Sequence, residues 1–245
     1  MPSRPCRATI REYTPLVQKE AATVTSTVEA IQTEAREVAV PAGGVSLSAT
    51  LLVPEAPQGA VVFSHAGSND LHPRTPQITG ALAEAGFATL ALDLLTDEEA
   101  IERPNLFDAP LLARRLVSAT RWLRREKTES LPIAYLGVGT GASAALWAAA
   151  GAEAGVFAVV SLGGWPDLAV SQLSLVRAPT LLVVGGADGR VLELNRAALD
   201  RLPSCEHELA VVPGATHLFE QHGALEQATE LAMGWFAGHL GRRAD

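Results

Sequence analysis

A chain of 245 residues, 48% of them hydrophobic, is long enough to bury a large core, and its formal net charge of −8 excludes a general nucleic-acid or anionic-membrane binder. Its one dense basic stretch, RWLRREK at residues 121–127, is too short to change that balance, so a small neutral or apolar substrate fits best. Cys6 and Cys205 lie far apart without metal-ligand spacing, and neither a secretory leader nor an apolar run of about twenty residues is read, so the expected setting is cytoplasmic and reducing.

Residues 1–36 are rich in Thr, Glu, Gln and Arg with weak periodicity, and are expected to form an extension, partly flexible or helical, outside the core. The main domain is expected over residues 37–242. It opens with REVAVPAGGVSLSATLLVPE, whose alternation around Gly43 and Gly44 predicts an antiparallel hairpin. Six β-prone runs follow: GAVVFSH (59–65), ATLALDL (88–94), IAYLGV (133–138), FAVVSLG (157–163), TLLVVGG (180–186) and HELAVVPG (207–214). They are mostly continuous in apolar character, as strands covered on both faces must be. Amphipathic helical patterns lie between them: TPQITGALAEAGF, APLLARRLVSATRWLRRE, GASAALWAAAG, VLELNRAALDRL and ALEQATELAMGWFAGHL. Alternation of this kind predicts an α/β fold, a mainly parallel sheet with helices on both faces, led by the antiparallel hairpin.

Ligands of open α/β sheets bind beyond the carboxyl ends of the strands. Three features stand there. A glycine corner, GVGTG, follows the 133–138 strand; Asp188 follows the 180–186 strand; His217, in VPGATHLF, follows the last strand. Corner, acid, histidine is the chain order of an α/β-hydrolase triad.

On these residues the chain from about Glu37 to Leu240 resembles the dienelactone-hydrolase-like branch of the α/β-hydrolase family. VFSHAGSND is similar to the family's loop after its third strand, LALDLLTDEE to its next strand and loop, and FDAPLLARRLVSATRWLR to the helix before the elbow. APTLLVVGGAD and VPGATHLFEQHGALE are similar to its acid and histidine segments. The resemblance implies an elbow of the form G-x-S-x-G or G-x-C-x-G with the nucleophile in the middle. Gly137, Gly139 and Gly141 fall on the three marked positions, which puts Gly139, with no side chain, at the position of the nucleophile.

The remaining assignments follow from that frame. The backbone N–H of Thr140, with Ala66 or Gly67 from the loop after the 59–65 strand, is expected to form an oxyanion hole. His65 is expected to orient that loop or border substrate, Asn69 to line the pocket mouth, and Trp165 to give the pocket an apolar wall. Ser143, one helical turn below the corner, is expected to pack or back-bond to a carbonyl, leaving Thr140 ahead of it as a substitute nucleophile. Asp188 is expected both to orient His217 and to cap the helix beginning near Val191. His207, His222 and His239 are read as surface residues.

GVGTGA also satisfies a dinucleotide fingerprint, but it follows several strands, and the next strand ends without an acid for a ribose. No cofactor and no metal are expected, since no ligand spacing such as H-x-x-x-H occurs, and the partner expected is a small-molecule substrate bound by a monomer or homodimer. Three functions remain open at this point: non-covalent acid–base chemistry by His217 and Asp188, an esterase or lactonase inactivated by loss of its nucleophile, and a non-catalytic binding protein on a hydrolase fold.

Overall fold

The computed structural model describes residues 9–13, 33–66, 74–126, 130–202 and 206–241. The hairpin forms as its alternation dictates: β2 (Thr33–Ala42) and β3 (Val45–Pro54) pair antiparallel in unbroken register from Thr33↔Pro54 to Ala42↔Val45. Gly43 and Gly44 join them at φ 58° and 91°, the mirror-image turn that matches strand twist and that a side chain would strain. The continuous apolar runs form β4 (Gly59–His65), β5 (Phe87–Asp93), β6 (Ile133–Val138), β7 (Val159–Leu162), β8 (Thr180–Gly185) and β9 (His207–Val212).

A further strand, β1 (Thr9–Glu12), pairs parallel with β9 and closes one edge of a nine-stranded sheet of order β1-β9-β8-β7-β6-β4-β5-β3-β2. This corrects the expectation for residues 1–36 in part: 9–12 extend the sheet, and β2 begins four residues before position 37. The apolar Ile10 and the ion pair of Arg11 with Glu208 sit at this edge. Residues 1–8 and 14–32 lie outside those described.

Side-chain alternation sends each buried strand's residues to two cores. Ala60, Val62, Tyr135 and Leu182 join the cluster on one face, and Val61, Phe63, Leu136 and Val183 the cluster on the other. The first face is covered by α3 (Ala109–Leu123), α4 (Thr140–Ala149) and α5 (Gly189–Leu199), the second by α1 (Thr75–Glu84) and α6 (Ala224–His239). Tyr135 is fully buried, its hydroxyl 2.7 Å from Thr120 Oγ1, and burial pushes the phenol up to about 12.

One helix escapes the periodic reading. α2 (Asp97–Ile101) is five residues long and starts with a capping box, Thr96 and Glu99 each bonding the other's backbone. Glu99 also accepts from Arg115 of α3 at 2.6 Å, and that bond, against the smaller cost of burial, holds its carboxyl below the usual range. The chain moves outward in both directions from β4: to β5 on one side, then back across to β6, β7, β8 and β9 on the other. The crevice above a reversal of this kind is where an open α/β sheet takes its ligand, and it lies between the carboxyl ends of β4 and β6.

Candidate active site

Three glycines shape the corner above β6, for two different reasons. A Cβ on Gly137 would lie 2.5 Å from the backbone of Ala142, and one on Gly141 would lie 2.4 Å from the Ser64 carbonyl oxygen. Those two are glycine because α4 must pack against its own strand and against β4. Gly139, between them, has φ 56° and ψ −120°, a conformation costly for most residues, yet a Cβ there would meet none of the described residues within 4 Å. Its N–H donates to the Leu162 carbonyl at 3.1 Å, which holds the corner to β7. Thr140 opens α4, so its N–H has no carbonyl one turn earlier to bond.

The loops after β8 and β9 are bound to each other. Ala187 N–H donates to the Ala215 carbonyl at 2.9 Å, and a Cβ on Gly185 would strike that same oxygen at 2.3 Å. Asp188 caps α5, accepting from Val191 N–H at 3.1 Å through Oδ1, while its Oδ2 lies 3.6 Å from His217 Nδ1. That separation is beyond a hydrogen bond. The His217 side chain is 55% exposed and that of Asp188 19%. Beyond the histidine, Thr216 N–H donates to Gln221 Oε1, and the Leu218 carbonyl accepts from Arg74. Phe219, buried under the loop, takes φ 51°, a left-handed conformation that packing must hold in place.

The segment after β7 fits between these parts. A Cβ on Gly163 would lie 2.7 Å from the His217 carbonyl oxygen, so this glycine allows the two loops to touch. Ser143, fully buried on α4, donates to the Trp165 carbonyl at 2.5 Å; its hydroxyl is committed to packing. Asn195 of α5 donates to the Gly164 carbonyl at 2.9 Å. Trp165 is thus tethered at its backbone, while its ring meets Phe107 edge-on at 6.5 Å and lies under the Arg190 guanidinium at 5.7 Å. Neither Phe107 nor Arg190 is singled out by the sequence reading, because the stacking joins three segments far apart in the chain and leaves no local pattern.

His65 is buried at the end of β4 and pairs through Nδ1 with Asp93, its register partner on β5, with its ring 5.9 Å from Phe63. Ala66, next in the chain, is also buried; Gly67 and Asn69 lie outside the described residues. Two further histidines differ from expectation. His207 and His239 are buried rather than on the surface: His207 opens β9 and is paired with Thr180 of β8, and His239 has its Nδ1 2.8 Å from the Trp235 carbonyl and its ring tilted against that of Trp235 at 4.2 Å. A groove of about 810 Å³ lies elsewhere, between α3 and the end of α4, lined by residues including Arg114, Val117 and Trp147; none of Gly139, Asp188 and His217 borders it. Among the described residues, no cluster of three or more His, Cys, Asp or Glu is arranged to hold a metal ion, and no helix is long and apolar enough to cross a membrane.

A mostly parallel sheet with helices on both faces and a glycine corner between strand and helix defines an α/β-hydrolase fold. The comparisons with known proteins agree. The chain is 44% identical to the dienelactone hydrolase of Anabaena variabilis, with a TM-score of 0.80 over 85% of this chain and 99% of that one; it belongs to the dienelactone-hydrolase-like family. A dienelactone-hydrolase-like promiscuous phosphotriesterase from metagenomic libraries shares the fold at 20% identity, with a TM-score of 0.69 over 85% of this chain and 99% of its own. Proteins of two Mycobacterium tuberculosis strains, provisionally named phosphoribosyl transferases, are 52% identical over 206 residues, 83% of this chain and 46% of theirs. The chain therefore spans about half the length of the curated relatives it matches. No protein-family profile matches it.

Proposed function

We propose that the chain is an enzyme that uses His217 and Asp188 for acid–base chemistry on a small carbonyl compound, without a covalent intermediate. The observation that carries this reading is the pairing of Gly139, in the strained corner conformation with open space beside it, with a retained Asp188–His217 pair. In this reading Gly139 occupies the position at which family members carry their nucleophile. With Nδ1 turned to Asp188, His217 keeps Nε2 for the ligand. It takes a proton from a carbon or hydroxyl beside the carbonyl, or from a water at the corner, while the N–H of Thr140 and that of Ala66 or Gly67 stabilise the oxyanion that forms. Isomerisation, cyclisation, elimination and water addition all fall within that chemistry. The Asp188–His217 separation is one that shortens once a ligand charges the imidazole.

The test compares the unaltered chain with His217→Ala on a panel of esters, lactones and polycarbonyl compounds, with products identified by mass spectrometry. A product whose rate falls about a hundredfold in His217→Ala supports the reading; equal turnover in the two proteins overturns it.

One observation favours a second reading, an esterase or lactonase that has lost its nucleophile. The space beside Gly139 accepts a side chain without collision, in the backbone conformation a nucleophile elbow needs. Gly139→Ser then restores cleavage of activated aryl esters and labelling by a phosphonate probe. The name of the mycobacterial relatives belongs to proteins of which the matched segment is 46%, so it carries no argument for this part.

A further inference from the structure

The space beside Gly139 differs from that beside the glycines at which the elements of the site touch. Built side chains on Gly137, Gly141, Gly163 and Gly185 would all strike backbone atoms at 2.3–2.7 Å, whereas one on Gly139 meets none of the described residues within 4 Å. Packing among the described residues does not require a glycine at the corner. The corner is partly exposed, so the space is reachable from solvent, and it stands at the carboxyl end of β6, beside the crevice between β4 and β6.

We infer that this space seats a second substrate, a small uncharged nucleophile such as an alcohol, amine or thiol, so that the site transfers an acyl group to it directly. The inference rests on the acid–base reading above. The step balances without any redox partner. His217 Nε2 takes the proton of the X–H group as the X lone pair bonds to the carbonyl carbon, and the carbonyl π pair moves to oxygen, facing the Thr140 N–H. The oxyanion then reforms the carbonyl and expels the leaving oxygen, which takes the proton back from His217. An ester and X–H become acyl–X and an alcohol. Water is the smallest occupant of the same seat; a nucleophile that fills it is held in attack geometry more of the time.

The experiment supplies p-nitrophenyl acetate with hydroxylamine or 2-mercaptoethanol and quantifies acetohydroxamate or thioester above the buffer rate. Transfer should saturate with nucleophile concentration. It should fall about tenfold or more in Gly139→Ala, whose methyl enters the seat, and about a hundredfold in His217→Ala. A series of thiols from methyl to tert-butyl, run on the unaltered protein, gives the same answer without relying on a variant: saturation is lost as bulk exceeds the seat. Transfer that is first order throughout, or insensitive to thiol size, overturns the inference. If His217-dependent hydrolysis persists while added nucleophile changes neither rate nor product, the second-substrate seat is wrong and the acid–base reading stands. If no His217-dependent turnover of any kind occurs, both fall.

Discussion

The molecule holds two histidine–aspartate pairs at the carboxyl end of one sheet, and they differ in almost everything except residue type. His65 and Asp93 are register partners on adjacent strands, in close contact, with the imidazole only 5% exposed. His217 and Asp188 come from two loops, stand 3.6 Å apart and leave the imidazole 55% exposed. The imidazole of the first pair is shielded from water and from any ligand, and removing it would leave Asp93 without its charge partner. An open pair gains little stability from its contact but can exchange protons with whatever enters the crevice. The comparison therefore matches the first pair to holding the end of β4 against β5, and the second to the chemistry proposed above.

The strongest challenge to that division is Gly141→Ala. The added methyl would collide with the Ser64 carbonyl and lie 2.8 Å from His65 Cα, driving β4 and the buried pair away from α4. A loss of about 3 kcal/mol or more in urea unfolding is expected; an unchanged midpoint would mean that the strand end yields freely. Next comes a matched pair of variants. His65→Ala is expected to cost about 2–3 kcal/mol, below the full value for a buried pair because Asp93 is 26% exposed. His217→Ala is expected to shift stability by less than about 0.5 kcal/mol while lowering turnover about a hundredfold. Equal unfolding midpoints for the two would break the comparison.

Burial as the deciding variable is open to a direct check at Tyr135. Its folded-state value of about 12 lies above the ordinary phenol value of about 10, so the unfolded chain releases the proton first as pH rises. Stability should be constant below pH 10, fall by about 2–3 kcal/mol between pH 10 and 12, and then level off. Tyr135→Phe should remove that fall in pH-dependent melts, leaving any slope from other groups. The smallest effect is expected from Ser143→Ala, which leaves the Trp165 carbonyl without its 2.5 Å donor. A cost of about 1 kcal/mol is expected, together with a raised KM if Trp165 borders the ligand; a collapse of kcat alone would instead point to Ser143 in the chemistry.

Strands buried on both faces write their positions as continuous apolar runs, and here β4 and β6 fall on the residues expected from those runs. The five long helices were legible for the same reason, through their apolar stripes. Thr96 and Glu99 form the capping box that starts α2, a signal present in the sequence but attached to a helix too short for periodicity to register. The edge strand β1 has no such signal: Thr9–Glu12 buries little, and its pairing is dictated by β9, far along the chain. At the site, chain order placed Gly139, Asp188 and His217 beyond three strand ends, but not their distances. The contact of His65 with Asp93, the burial of His207 and His239 and the stacking of Arg190 on Trp165 all depend on which strands, helices and loops meet. No local pattern encodes that.

The two outer strands of the sheet impose an order on folding. β2 docks on a hairpin partner three residues away, whereas β1 pairs with residues 208–211, about two hundred positions further along the chain. During synthesis β1 therefore emerges well before its partner and must wait for β9 to find its place. Amides of β1 should accordingly exchange with solvent well before those of β4 and β6, by partial opening at one edge that leaves the crevice and its histidines intact.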